Sequence, residues 1–144
     1  MSTPLPRTAV RPSLRYRDAN AAIVFLVAAF GFEEVVAYRS PDNAIVEHAE
    51  LRWPEGGGVM LGSVRPDSGA GDLPLGAGAV YVVVRDPDAV YERAKANGAT
   101  ITREMREEEY GSRGFAARDP EGVSWSFGTY AGLAPLSPEA PPTT

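Results

Sequence analysis

The chain has no cysteine among its 144 residues. Disulfides, thiolate metal sites and thiol nucleophiles are excluded together. Histidine is almost as scarce: His48 is the only one, and a lone imidazole without converging carboxylates makes a poor metal site. Positive charge is also short, with 14 Lys and Arg against 19 Asp and Glu and a net charge of −5. No basic block exists to neutralise phosphates, so no nucleic-acid partner is expected. Long apolar runs are missing too. The longest, AAIVFLVAAF at Ala21–Phe30, is half of the ~20 residues that span a bilayer, and reads as a buried helix. The N-terminal MSTPLPRTAVRPS has no apolar core of the secretory kind. The expectation is a cytoplasmic protein with no membrane partner.

What is present is an internal repeat. YRDANAAIVFLVAAFGFEEVVAY (Tyr16–Tyr38) and VRDPDAVYERAKANGATITRE (Val84–Glu104) share a plan. Each opens with Arg-Asp at the end of a β-rich run, SLRY or AVYVVV. Asp18 and Asp86 fall where a helix N-cap belongs, accepting from free N–H groups and complementing the dipole. Pro87 suits a first helical turn. Gly31 and Gly98 stand at the C-terminal stops, each followed by a β-rich run, FEEVVAY or ATITRE. Two further strands follow in each half: Ala44–Trp53 and Gly58–Val64 around the Pro54–Gly57 turn, then Gly114–Arg118 and Val123–Thr129 around the Asp119-Pro120-Glu121-Gly122 turn. Proline presets the second turn position and glycine tolerates positive φ later. The order is β-α-β-β-β twice, with a Gly/Pro/Asp-rich linker at 65–76 and a Pro/Ala-rich tail at 131–144. Neither half is large enough to bury a sizeable core alone.

The paired Arg-Asp helix starts, the FGF and GA stops, HAEL at 48–51 and above all FAARDPEGVSWSFGTY at 115–130 resemble the vicinal oxygen chelate superfamily, also called the glyoxalase / bleomycin-resistance / extradiol dioxygenase family. The resemblance covers 9–130. It implies one α+β domain of two βαβββ modules, 9–64 and 77–130. These form a cup-shaped, eight-stranded mixed sheet with helices on the convex side. It also implies a ligand cavity on the concave face and a homodimer in which subunits complete the cup. In metal-using members a glutamate ligand follows the turn Asp by seven residues. Here that position is Ser126, and the other three ligand positions fall at about Arg11, Met60 and Ala79. None suits a divalent cation that wants carboxylate or imidazole. The expectation is no cofactor and no metal, and the family's metal-dependent lyase, epimerase and dioxygenase activities are not carried over.

Strand parity assigns the faces. Ser124, Ser126 and Gly128 point into the cup, with Trp125 and Phe127 packed beneath. Ala79, Tyr81 and Val83 point inward, as do Arg11, Ser13 and Arg15, and Met60. His48, Glu50 and Arg52 take the concave side of their strand. His48 with Glu50 is either a base with its orienting acid or a structural pair. Arg11 and Arg15 either grip an anionic ligand bidentately or balance charge at the sheet rim. Tyr81 and Met60 line the cavity. Trp53 and Tyr110 belong either to that lining or to a dimer interface. Tyr110–Arg113 forms a mouth loop, and EMREEE at Glu104–Glu109 is a solvated segment.

These readings converge on a protein that binds a small, partly aromatic or amphipathic molecule without a metal. The alternative is an enzyme of the same fold, a lyase or isomerase, using His48, Glu50 and an arginine. A regulatory dimer with a vestigial cavity is the third possibility.

Overall fold

The computed structural model describes residues 10–64, 76–109 and 111–132. The linker core 65–75, the tail from 133 onward and Tyr110 lie outside the described residues. Both helices begin where the aspartates place them. Asp18 accepts a hydrogen bond from Ala21 N at 3.0 Å and Asp86 one from Ala89 N at 3.1 Å. They cap α1 (Ala19–Phe25) and α2 (Pro87–Ala96). The first helix does not stay α-helical to its stop. It widens into a π-helical turn, Leu26–Phe30, before Gly31 at φ +96°. Carbonyls at a helix end have no partner within the helix. Here Arg93 of α2 donates to Ala28 O at 2.9 Å and Val27 O at 3.2 Å, so one helix terminates the other.

Among the described residues eight strands accompany the helices: β1 (Ser13–Tyr16), β2 (Glu33–Arg39), β3 (Val46–Arg52), β4 (Gly58–Ser63), β5 (Ala79–Val83), β6 (Thr100–Glu107), β7 (Arg113–Arg118) and β8 (Ser124–Gly128). They divide into two four-stranded sheets, ordered β1-β4-β3-β2 and β5-β8-β7-β6. Each is mixed: β1 with β4 and β5 with β8 are parallel, the other pairs antiparallel. β6 runs further than ATITRE indicates and takes in part of the charged run. Ile101, Arg103 and Met105 alternate inward between exposed neighbours, and Met105 packs on the core. The period of two was hidden by charge: Arg103 and Arg106 both pair with Glu108, so the segment is less solvated than its composition suggests.

One face of each sheet is buried, and both buried faces feed the same core. Phe30 stands at its centre, with ring centroids 5.5 Å from Trp125, 4.8 Å from Phe127 and 5.3 Å from Phe25. Phe32 joins Trp53 (5.0 Å) to Trp125 (5.5 Å). Trp125 and Phe127 are fully buried, as parity requires. Residues from both modules therefore share one aromatic cluster. Because side chains alternate along a strand, the other face of each sheet is left open, and that is where the candidate site residues stand.

The modules also exchange turns. Glu121, in the turn before β8, reaches the start of α1 and accepts from Arg17 N at 2.6 Å and Asp18 N at 2.7 Å. Glu55, in the turn before β4, reaches the start of α2. It takes Arg85 N at 3.4 Å and the Arg85 guanidinium at 3.3 Å. The Arg-Asp and Pro-Glu-Gly motifs of the sequence repeat are thus the two halves of a reciprocal docking contact.

Candidate functional site

On the open face of the first sheet, β-pairing sets Ser13, Met60 and Glu50 side by side. The adjacent row contains Arg15, Gly62, His48 and Tyr38. His48 Nε2 lies 2.9 Å from Glu50 Oε2, and the Tyr38 ring stacks on the imidazole at 6.3 Å and 24°. Both partners of the pair are about two-fifths exposed, so the contact orients the ring more than it stabilises the fold. Gly62 matters by what it lacks. A Cβ there would lie 2.5 Å from Arg15 Nη1, so the missing side chain lets the guanidinium lie across the strand toward the His48 row. Arg11 is exposed below this row.

The second sheet carries the other candidates. Tyr81 stands opposite Ser126, and Ala79 opposite Ser124. The Tyr81 hydroxyl donates to Tyr130 O at 2.7 Å. It lies over Gly128, whose Cβ would come within 2.8 Å of it and 3.1 Å of Ser112 Oγ. On β1, β3, β4, β5 and β8 the buried and open positions follow the parity read from the sequence. The candidates form two groups, however. His48, Glu50, Met60 and Arg15 share one sheet. Tyr81, Ser124 and Ser126 share the other. Tyr110 falls outside the described residues. Trp53 is buried, 7% exposed and packed between Phe32 and Phe127, because its strand turns it inward just before the Pro54 turn, and its remaining surface borders a cavity.

The four positions at which the resemblance implies metal ligands are staggered alike in the two sheets. Arg11 and Met60 in one match Ala79 and Ser126 in the other. A guanidinium, a thioether, a methyl and a hydroxyl are not a donor set for a hard or borderline cation. Among the described residues no three His, Asp or Glu side chains converge. The residues do not fit the group.

Among the described residues the one buried acid lies elsewhere, and reading the sequence missed its role. Asp119 is 4% exposed. It accepts from Tyr16 Oη at 2.6 Å, Trp125 Nε1 at 3.0 Å, Glu121 N at 3.0 Å and Val123 N at 3.1 Å. Four donors offset the cost of taking a carboxylate out of water. Burial first, and then the bond to Asp119, raise the Tyr16 phenol far above the ordinary tyrosine range. The available signal was the Asp of the turn preceding a buried Trp by an even strand count. It was read only as turn chemistry.

A cavity of about 370 Å³ opens between the modules, beside the unpaired edge of β5. Phe32, Trp53, Val59, Val80 and Val82 wall it, and Glu55 and Arg85 stand among its lining. Of the sequence candidates for ligand contact, Tyr81 and Trp53 reach it. Trp53 Nε1 is the only buried side-chain N or O without a hydrogen-bond partner among the described residues. A buried donor left so costs about 1–3 kcal/mol.

Comparison with known proteins agrees with this geometry. The family model described as Glyoxalase/Bleomycin resistance protein/Dioxygenase superfamily matches residues 7–127. An uncharacterized protein of Mycobacterium tuberculosis is 34% identical over 126 residues, covering 83% of this chain and 73% of its own. Among solved structures, TioX from Micromonospora sp. ML1 is 30% identical with a TM-score of 0.69, over 83% of this chain and 97% of that one. A glyoxalase I variant from Zea mays shares the fold at 22% identity and a TM-score of 0.65, over 85% of this chain and 45% of that one.

Proposed function

The chain belongs to the Glyoxalase/Bleomycin resistance protein/Dioxygenase superfamily, and from that premise we propose that it binds a small organic molecule without the metal centre used by the family's metal-dependent members. The observation that carries this reading is the donor set. Arg11, Met60, Ala79 and Ser126 occupy the ligand positions with groups that do not hold a divalent cation. The open faces supply what an organic ligand needs instead: apolar surface with a few placed polar groups. Tyr81 and Met60 give the flat and thioether contacts, and Ser124, Ser126 and Arg15 the polar ones. A second copy of the chain completes the surface, since Tyr81 is 49% and Val83 42% exposed, more than apolar floor residues of a finished site. The protein is a cytoplasmic homodimer in this reading.

The His48–Glu50 contact favours a second reading, an isomerase or lyase in which His48 is the base and Glu50 its orienting acid. Untagged protein purified without chelator should contain well under one transition metal per chain. Its melting temperature should rise with aromatic or amphipathic compounds, by mass action, and ultracentrifugation should give a dimer. Stoichiometric metal would overturn the metal-free reading. If His48→Ala binds ligand normally but loses turnover of that ligand, the enzymatic reading replaces simple binding.

A further inference from the structure

Each four-stranded sheet has two edges, and the four edges are not built alike. An edge strand presents N–H and C=O groups that a further strand would take up, and proteins blunt it with charge, bulges or short length. The outer edges are blunted twice over. β2 (EEVVAYR) and β6 (TITREMRE) are charged, and the pairing of each slips at two places. β1 has only four residues, Arg15 among them. β5 (AVYVV) alone carries no charge, and its register with β8 is unbroken.

The pairing of β5 fixes where its backbone groups point. Ser124 N donates to Gly78 O and Val84 N to Gly128 O. In this parallel ladder Gly78, Val80, Val82 and Val84 therefore face β8. The N–H and C=O groups of Ala79, Tyr81 and Val83 project from the other side, and among the described residues no hydrogen bond reaches them. The Tyr81 side chain does not screen them. Its hydroxyl is drawn over Gly128 on the β8 side and donates to Tyr130 O at 2.7 Å. The cavity of about 370 Å³ follows this edge, for its lining takes in Val80, Tyr81, Val82 and Val83 in succession. Side chains of consecutive strand residues point to opposite faces, so a space that touches all four runs along the backbone. Pro12, Phe32 and Val59 of the first module close it from across.

We propose that the ligand is peptide-like, an extended chain of two or three amide units with apolar side chains, and that it adds to the free edge of β5 as a further strand. This rests on the proposed function and names the ligand class of the same site. Tyr81 and Val83 exchange N–H···O=C bonds with alternate residues of the occupant, and the cavity wall receives the side chains between them. Charge is not asked of the occupant, because Glu55 and Arg85 pair with each other just beyond the strand's end. A second copy of the chain covers the side-chain face but does not enter the slot. Its edge strand comes backed by a whole sheet, which the wall of Pro12, Phe32 and Val59 excludes.

The test compares N-acetyl-Val-Phe-Val-amide with an analogue in which the α-hydroxy acid replaces each valine. Two N–H groups then become ester oxygens with little change of shape. Both compounds are titrated into the full chain by calorimetry. Loss of two neutral hydrogen bonds should weaken binding about tenfold or more. Val83→Pro removes an outward N–H and spares the ladder to β8, a position at which an edge strand accepts proline. It should erase the preference for amide over ester, whereas Val83→Ala should keep it, with both melting temperatures confirming the fold. If Val83→Pro fails to fold, amide exchange by NMR on the parent chain takes its place: the peptide should slow exchange at Tyr81 and Val83. Equal affinity for the two compounds, a preference that survives in folded Val83→Pro, or exchange unchanged by the peptide would overturn the assignment. So would Tyr81 and Val83 amides already protected without peptide and exposed on dilution, which would give the edge to a second copy. If neither compound binds while aromatic or amphipathic compounds still raise the melting temperature, the peptide assignment fails and the proposed function stands. If nothing raises it, both fail.

Discussion

Asp119→Ala is expected to lower stability by roughly 3–5 kcal/mol, measured by urea denaturation of the full chain. That is a large part of the total for an ordinary domain. The substitution strands a buried phenol, a buried indole N–H and two backbone N–H groups at once. Asp119→Asn keeps the shape and one acceptor, so its loss should be smaller. A loss under about 1 kcal/mol for the alanine variant would show that water takes the place of the carboxylate, contrary to a sealed site. The same cluster governs alkaline stability. Tyr16 is raised in the folded state by burial and by Asp119. Its stabilising contribution is therefore present below the unfolded tyrosine pKa of about 10 and is lost as pH climbs above it, when only the unfolded chain ionises there. Tyr16→Phe should flatten the fall in stability above pH 10, at the cost of a lower plateau.

Phe30→Ala is the second large effect, about 3–5 kcal/mol for removing a buried aromatic ring that leaves a cavity. The ring sits against Phe25, Trp125 and Phe127, so the loss falls on the seam between modules as well as on one helix. Val24 lies in the same apolar run and is 68% exposed. Val24→Ala should stay within about 0.5 kcal/mol. Thermal melts of the two variants side by side would check the contrast. Similar losses would mean that α1 buries a different face.

The contrast shows what the run AAIVFLVAAF discloses and what it conceals. Its apolarity marks a buried helix, but which positions are buried depends on a π-helical turn. Nothing in the ten letters indicates that the last turn widens, because Arg93 of α2 stabilises it from the other module. The strands were more legible. Alternation along SWSFG and AVYVV predicts the buried and open faces correctly, since a period of two is fixed by the backbone itself. Trp53 and Asp119 were only partly legible for the opposite reason. Both precede a Pro-Glu-Gly turn; Asp119 was explained by that turn alone, and Trp53 was read as lining or interface without its place in the core. Their roles come from partners far along the chain, Phe127 in one case and Tyr16 in the other. The cavity was invisible because its wall is brought together from both halves of the chain, Val59 from one and Val80 and Val82 from the other.

The exchanged turns also set a timetable. The contact from Arg17 to Glu121 spans 104 residues and that from Tyr16 to Asp119 spans 103. During synthesis the first module emerges with Asp18 able to cap its helix from within, but with the Arg17 and Asp18 amides still lacking Glu121. Only when the final hairpin forms are those amide groups satisfied. Contacts of such separation slow folding, since the entropy of closing a long loop must be met before they contribute. The first half of this chain is therefore expected to reach its full set of contacts only after the last strand is made.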